Sequence, residues 1–270
     1  MNLPPLPTRP KFRLATAFCL CLFGCGVLIV SPARADLKDG IDAFEREDYE
    51  TAVLELRPYA ERGITMVQYL LGALYMYGEG VPRDYDDARK WLELAAEKGL
   101  SEAQLGLGLL YFEGLGVEQD YREAEIWYRK SAEQGHTLAQ VALGKIYIRG
   151  LGTPQNYKKA IFWYGLAAEQ GDSGSQYILG LALWPGLGVE RDWILAYKWL
   201  ILAVDQALEE AQNKLISYAE EMTTAEITEA ERLAEEWRAE HYGSENFWRR
   251  GFSSSFSRTL RELRELDIGE

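Results

Sequence analysis

The chain has 270 residues, 47% hydrophobic and 12% aromatic, with 42 acidic against 29 basic side chains and a formal charge of −13. That apolar content excludes a disordered polypeptide and is ample for a buried core. The acidic balance speaks against nucleic acid as a partner and makes anionic lipid surfaces poor electrostatic partners.

The first segment differs from the rest. Arg9, Lys11 and Arg13 precede an apolar run from Leu14 to Val30, and Ala33-Arg34-Ala35 follows, the small-residue pattern a signal peptidase cuts. The expectation is a signal peptide over residues 1–35, cleavage after Ala35, and a mature chain that starts at Asp36 in the periplasm or is secreted. Two alternatives stand beside it: an uncleaved inner-membrane anchor, the one case that brings membrane contact, and a lipoprotein site at Leu22-Phe23-Gly24-Cys25. The apolar run is short for a spanning helix, and Phe23 is bulky for a lipobox. Cys19, Cys21 and Cys25 all fall here, so the mature chain would carry no disulfide and no thiolate metal site. Losing Arg9, Lys11, Arg13 and Arg34 would take the charge from −13 to −17.

Residues 36–64 read as an N-terminal cap, a helical hairpin with Asp48-Tyr49, Ala52, Ala60 and Gly63 and a short turn. From residue 65 to 208 the chain repeats itself at an offset of 36, which superposes Trp91, Trp127, Trp163 and Trp199 and also Gly72, Gly108, Gly144 and Gly180. Such a period marks a solenoid. Each unit spells two helices. Helix A is expected to open on a capping box, Thr65-x-x-Gln68, Ser101-x-x-Gln104, Thr137-x-x-Gln140 or Ser173-x-x-Gln176, and to stop at a Gly-x-Gly loop such as Gly114-Leu115-Gly116. Helix B opens on an N-cap ladder, Asp48, Asp84, Asp120, Asn156 and Asp192. Its apolar face follows at helical spacing, as in Tyr85, Ala88, Trp91, Leu92 and Ala95.

Residues 209–238 read as C-terminal capping helices, with a further capping box at Thr223-x-x-Glu226 and Met222 and Ile227 placed as a hydrophobic staple. The tail, 239–270, holds Trp248-Arg249-Arg250 and Phe252, then Phe256, Leu260 and Leu263 on one helical face. It either docks back on the terminal repeat or folds on binding a partner. Docking is the expectation, because Trp248 and Phe252 are costly to leave in water.

The unit beginning at Ser101 reads Ala103, Leu107-Gly108, Tyr111, Gly114-Leu115-Gly116-Val117, Asp120-Tyr121, Ala124, Trp127, Ala132 and Gly135. These residues resemble the Sel-one-like repeat (SLR) family, relatives of the tetratricopeptide repeat, over about residues 36 to 238. The resemblance implies an all-α fold, an α/α superhelical solenoid of antiparallel helix pairs, with the cap closer to a tetratricopeptide hairpin because it lacks the Gly-x-Gly loop.

Several features imitate chemistry. Gly171-Asp172-Ser173-Gly174 resembles the nucleophile segment of trypsin-like proteases, yet it superposes on Gly99-Leu100-Ser101-Glu102, so Ser173 reads as a helix cap. His136 and His241 lack a second ligand at metal spacing and read as solvated turn residues. The Gly-x-Gly loops lack a phosphate-binding lysine. No catalytic residue, metal or cofactor is assigned.

The resemblance places helix A on the concave face. Helix A positions outside the repeating core motif are mostly apolar, including Tyr69, Leu105 and Tyr177 and the column Met76, Phe112, Ile148 and Trp184. They read in two ways, as packing between repeats or as a groove taking a partner segment through aromatic anchors together with Lys145 and Arg149. Glu102 and Glu113 favour a basic protein or peptide partner. The resemblance implies a non-catalytic scaffold or adaptor of the bacterial envelope. A periplasmic regulator of a membrane sensor is the alternative. A β-lactamase-like hydrolase is the least favoured, since the paired cysteines of those relatives are missing.

Overall fold

The computed structural model describes residues 37–206 and 208–242. The leader with its cleavage point, and the tail side chains from Trp248 to Leu263, lie outside the described residues. Within them the elements are twelve α-helices, and their consecutive packing makes the all-α helix-pair solenoid that the sequence leads one to expect.

Helices α1 (Leu37–Glu45) and α2 (Tyr49–Glu61) form the first hairpin. Four pairs follow, each an A helix and a B helix: α3 (Thr65–Tyr77) with α4 (Tyr85–Glu97), α5 (Ser101–Glu113) with α6 (Tyr121–Glu133), α7 (Thr137–Arg149) with α8 (Tyr157–Glu169), and α9 (Ser173–Leu183) with α10 (Trp193–Asp205). Each B helix also packs on the next A helix, and both α11 (Glu209–Ala219) and α12 (Thr224–Tyr242) pack on α10.

Helix ends follow local chemistry. The B helices start on the acidic or amide caps: Asp84 Oδ1 accepts from the amides of Asp86 and Asp87 at 2.9 and 3.0 Å, and Asn156 Oδ1 from Lys159 N at 2.9 Å. Helices α3, α5 and α7 stop at Gly78, Gly114 and Gly150, whose φ values of 72°, 69° and 66° lie in the left-handed region. Helix α9 has 11 residues where α7 has 13. Pro185 has no amide hydrogen to extend it and Trp184 stays right-handed, while the left-handed turn keeps its place in the repeat at Gly186, φ 80°. At α12 the expected capping box is made, with Thr223 N donating to Glu226 Oε2 at 2.8 Å and Glu226 N donating to Thr223 Oγ1 at 3.3 Å. Met222 and Ile227 join the same apolar cluster.

The capping boxes expected at the A helices do not form. The N-caps are Ile64, Leu100 and His136, none with a side-chain cap bond, and in α9 Asp172 rather than Ser173 caps, accepting from Ser175 N at 2.7 Å. The boundary lies one residue earlier than the motif suggests, which turns the glutamine inward. Gln68, Gln104, Gln140 and Gln176 are buried, and each donates to a carbonyl in the last turn of the preceding B helix, Ala60, Ala96, Ala132 and Ala168, at 3.0 to 3.3 Å. The next B helix closes the circuit from its C-cap: Gln134 Nε2 donates to Gln104 Oε1 at 2.7 Å, Gln170 to Gln140 at 2.8 Å and Gln206 to Gln176 at 3.1 Å, with Lys98 Nζ serving Gln68 at 3.2 Å.

Inside each pair the A helix presents a glycine to a large B side chain. A Cβ on Gly108 would lie 2.4 Å from the Tyr128 ring, and one on Gly144 2.6 Å from the Tyr164 ring, while Gly72 and Gly180 meet Leu92 and Leu200 at 2.7 and 2.9 Å. Between pairs, the second loop glycine abuts the start of the previous B helix: a Cβ on Gly116 would stand 2.5 Å from Tyr85 Cβ, and one on Gly152 2.8 Å from Tyr121 Cβ.

Two glycines of the third repeat therefore predict opposite signs for the same change. Gly144→Ala should destabilise by about 1–3 kcal/mol through overpacking, whereas Gly165→Ala, inside α8 with nothing within 4 Å of the new methyl, should stabilise by about 0.5–1 kcal/mol; urea midpoints of both variants give the test. Gln104→Leu strips the Ala96 carbonyl and the Gln134 amide of a buried partner and should cost about 1–3 kcal/mol in the same assay. Ser175 is 1% exposed with no partner for its hydroxyl among the described residues, at the place where Ala103 and Ala139 stand. Ser175→Ala should raise the melting temperature.

Candidate functional site

A stripe open to solvent runs along the A helices, set in α5 and α7 by the second, ninth and thirteenth residues and in α3 by the thirteenth. It carries Leu138 (45% exposed) and Tyr77 (60% exposed), the half-buried Glu102 and Leu109, and the exposed Glu113, Lys145 and Arg149. Tyr69, Leu105, Val141 and Tyr177, at the fifth position, sit along its edge, half-buried. Burial, with a contribution from Glu102, pushes the Tyr69 phenol up to about 12.

Of the residues expected to line the groove, Lys145 and Arg149 are exposed and Tyr69, Leu105 and Tyr177 are half-buried. The column Met76, Phe112, Ile148 and Trp184 instead turns toward the packed interior. Met76 is buried, and Phe112, Ile148 and Trp184 pack on the central core. Phe112 meets the Tyr121 ring edge-on at 5.2 Å and the Tyr128 ring at 6.2 Å. Gln119 Nε2 donates to the Phe112 carbonyl at 2.8 Å, and Gln155 Nε2 to that of Ile148 at 2.6 Å.

At the far end Trp184 is sandwiched. Its ring stacks on Tyr218 of α11 at 3.6 Å and on Trp193 of α10 at 5.3 Å, Trp193 Nε1 donates to the Trp184 carbonyl at 3.2 Å, and the Arg191 guanidinium lies 5.2 Å from the Trp193 ring. This stack was not foreseen in the sequence. The one signal for it is that Trp193 replaces the tyrosine that opens the other B helices.

Titratable groups between repeats are structural. In α6 and α7 the Tyr147 hydroxyl donates to Glu125 and accepts from Arg129 Nη2 at 2.8 Å. Burial and then the Glu125 carboxylate push that phenol up to about 12, which keeps it protonated at neutral pH, a donor rather than a base. The two histidines are not the solvated turn residues expected. His136 is half-buried at the start of α7, where burial lowers its pKa, and His241 stacks on Trp237 at 4.0 Å with Nδ1 2.8 Å from the Trp237 carbonyl. Among the described residues no group of three His, Cys, Asp or Glu side chains is placed to hold a metal ion. At the C-terminal end a cleft of about 610 Å³ opens between α10 and α12, rimmed by Arg232 and Arg238, which are paired with Glu229, Glu235, Glu236 and Asp205.

The Sel1 repeat family model matches four times in succession, at residues 65–100, 101–136, 137–172 and 173–208. A Sel1 repeat protein from Oxalobacter formigenes is 37% identical over 67% of this chain and 74% of its own, with a TM-score of 0.63. A protective antigen of uropathogenic Escherichia coli displaying an SLR fold is 23% identical over 79% of this chain and 62% of its own, TM-score 0.37. A Sel1 repeat protein described as putative, from Klebsiella pneumoniae, is 20% identical over 67% and 89%, TM-score 0.43. A search of curated proteins finds no match. Sel1 repeat proteins are generally non-catalytic scaffolds for protein–protein interaction. Four family matches in unbroken 36-residue register, on a stack of the same helix pairs, mean that this chain belongs to the Sel1 repeat family.

Proposed function

We propose that the protein is an adaptor of the bacterial envelope that receives a segment of a protein partner along its A-helix stripe. The observation that carries this reading is the composition of the stripe: Tyr77, Leu109 and Leu138 alternate with Glu102, Glu113, Lys145 and Arg149 along the open side of the first three repeats. Core positions such as Leu71 and Ala88 recur unchanged in all four repeats, whereas the stripe changes from one repeat to the next, so it presents a particular sequence of apolar and charged contacts to an extended or helical segment. Glu102 and Glu113 lie on its first half and select a basic stretch. Delivery by the leader, with cleavage after Ala35, puts the stripe in the periplasm.

A photoreactive side chain placed at Leu109 in living cells should give one dominant protein adduct, and Glu102→Lys with Glu113→Lys should lower its yield about tenfold with helicity unchanged by circular dichroism. Absence of an adduct from Leu109 would overturn the groove reading. N-terminal sequencing of the same periplasmic material should begin at Asp36; recovery of the intact leader in membranes would place the protein on the inner membrane.

A further inference from the structure

The B helices have an outward strip of their own, formed by their sixth, tenth and thirteenth residues. On α10 the sixth and tenth residues of that strip are covered: Leu202 is fully buried, and Lys198 is half-buried with its pKa lowered by burial. The cover is α12. Its start lies with Tyr197 and Leu200 through Met222 and Ala230, and its end lies with Trp163 and Trp199 through Ala234 and Trp237. Two donors clasp successive acids that close the B helices: Trp237 Nε1 donates to Glu169 of α8 at 2.8 Å, and Arg238 pairs with Asp205 of α10 at 2.7 Å. Helix α12 therefore runs backward along the array, from the last repeat toward the one before it, reaches α8 at Trp237 and ends five residues on at Tyr242.

On α8 and α6 the same strip is open. Phe162 is 58% exposed, Leu166 39% and Ile126 47%, and the acid column continues through the exposed Glu133 to Glu97. Such an apolar strip, continuous with an interface already made, asks for a cover. Residues 243–270 follow α12 at this point. They carry Trp248, Phe252, Phe256, Leu260 and Leu263 at steps of four, four, four and three, one face of a helix, and Trp248-Arg249 renews the donor pair Trp237-Arg238. We propose that residues 243–270 of the same molecule lie on the outer strip of α8 and α6, over Phe162, Leu166 and Ile126. The tail thereby extends the cover begun by α12 and keeps the outer face shut while the A-helix stripe stays open.

The test uses the full chain with a benzoylphenylalanine at Phe162, a position exposed enough to accept it, and a second protein with the probe at Leu54, which is 73% exposed at the same place on α2. Irradiation of the Phe162 protein should link the probe to residues 248–263 within the monomer, at least tenfold more than from Leu54. Linkage to a second copy, running as a dimer, would overturn the proposal and give the strip to self-association; so would equal yields from the two probes, or no link to the tail. A measurement free of the probe is limited trypsin digestion, with Arg249, Arg250, Arg258, Arg261 and Arg264 as the cut sites. Phe162→Asp should speed tail cleavage about tenfold and Leu54→Asp should not. Equal rates in wild type and Phe162→Asp would also overturn it.

Discussion

The array depends on how closely an A helix and its B helix approach at one glycine. With Tyr128 and Tyr164 lying where the Cβ of Gly108 and Gly144 would be, the two backbones have a single distance and a single rotation about each other. That placement fixes where the loop must return, and so brings the second loop glycine against the start of the preceding B helix, beside Tyr85 or Tyr121. The geometry of one pair is thus handed to the next by backbone contact. The buried glutamines make that handover specific, since each bonds a carbonyl of the helix before it and is in turn held from the C-cap of the helix after it. Apolar packing alone would tolerate sliding between repeats; a donor and acceptor buried at fixed points do not.

What could be read in the sequence was what local chemistry decides. Asp84, Asp120 and Asn156 cap helices because a short acceptor beside free amides does so in any context, and Gly114 and Gly150 end helices because few other residues take a left-handed backbone. The glutamines were misread because a capping residue and an inward-facing one share the same three-residue spacing, and only a shift of one residue in the helix start, to Leu100 or His136, tells them apart.

The helix A positions that read either as packing or as a groove divide between the two for a related reason. Positions nine and twelve of the A helix are three apart and nominally on one face, yet Lys145 is exposed and Ile148 packs on the core. Which of the two turns outward depends on the crossing of the paired helices, a tertiary quantity that helical periodicity does not contain. Phe112 packs on Tyr121 and Trp184 lies between Trp193 and Tyr218, and the open surface of the A helices falls instead at Tyr77, Lys145 and Arg149.

The ends of the array differ in kind from its middle. Pro185 shortens α9, and Trp184, at its C-cap, is clamped by Tyr218 from α11. A further unit joined after α10 would have to displace that ring and α12 with it. One copied between residues 101 and 172 would meet neighbours of its own kind on both sides. Gene duplication can therefore lengthen this protein from within, by whole multiples of 36 residues, and hardly at all by addition to its C-terminal end.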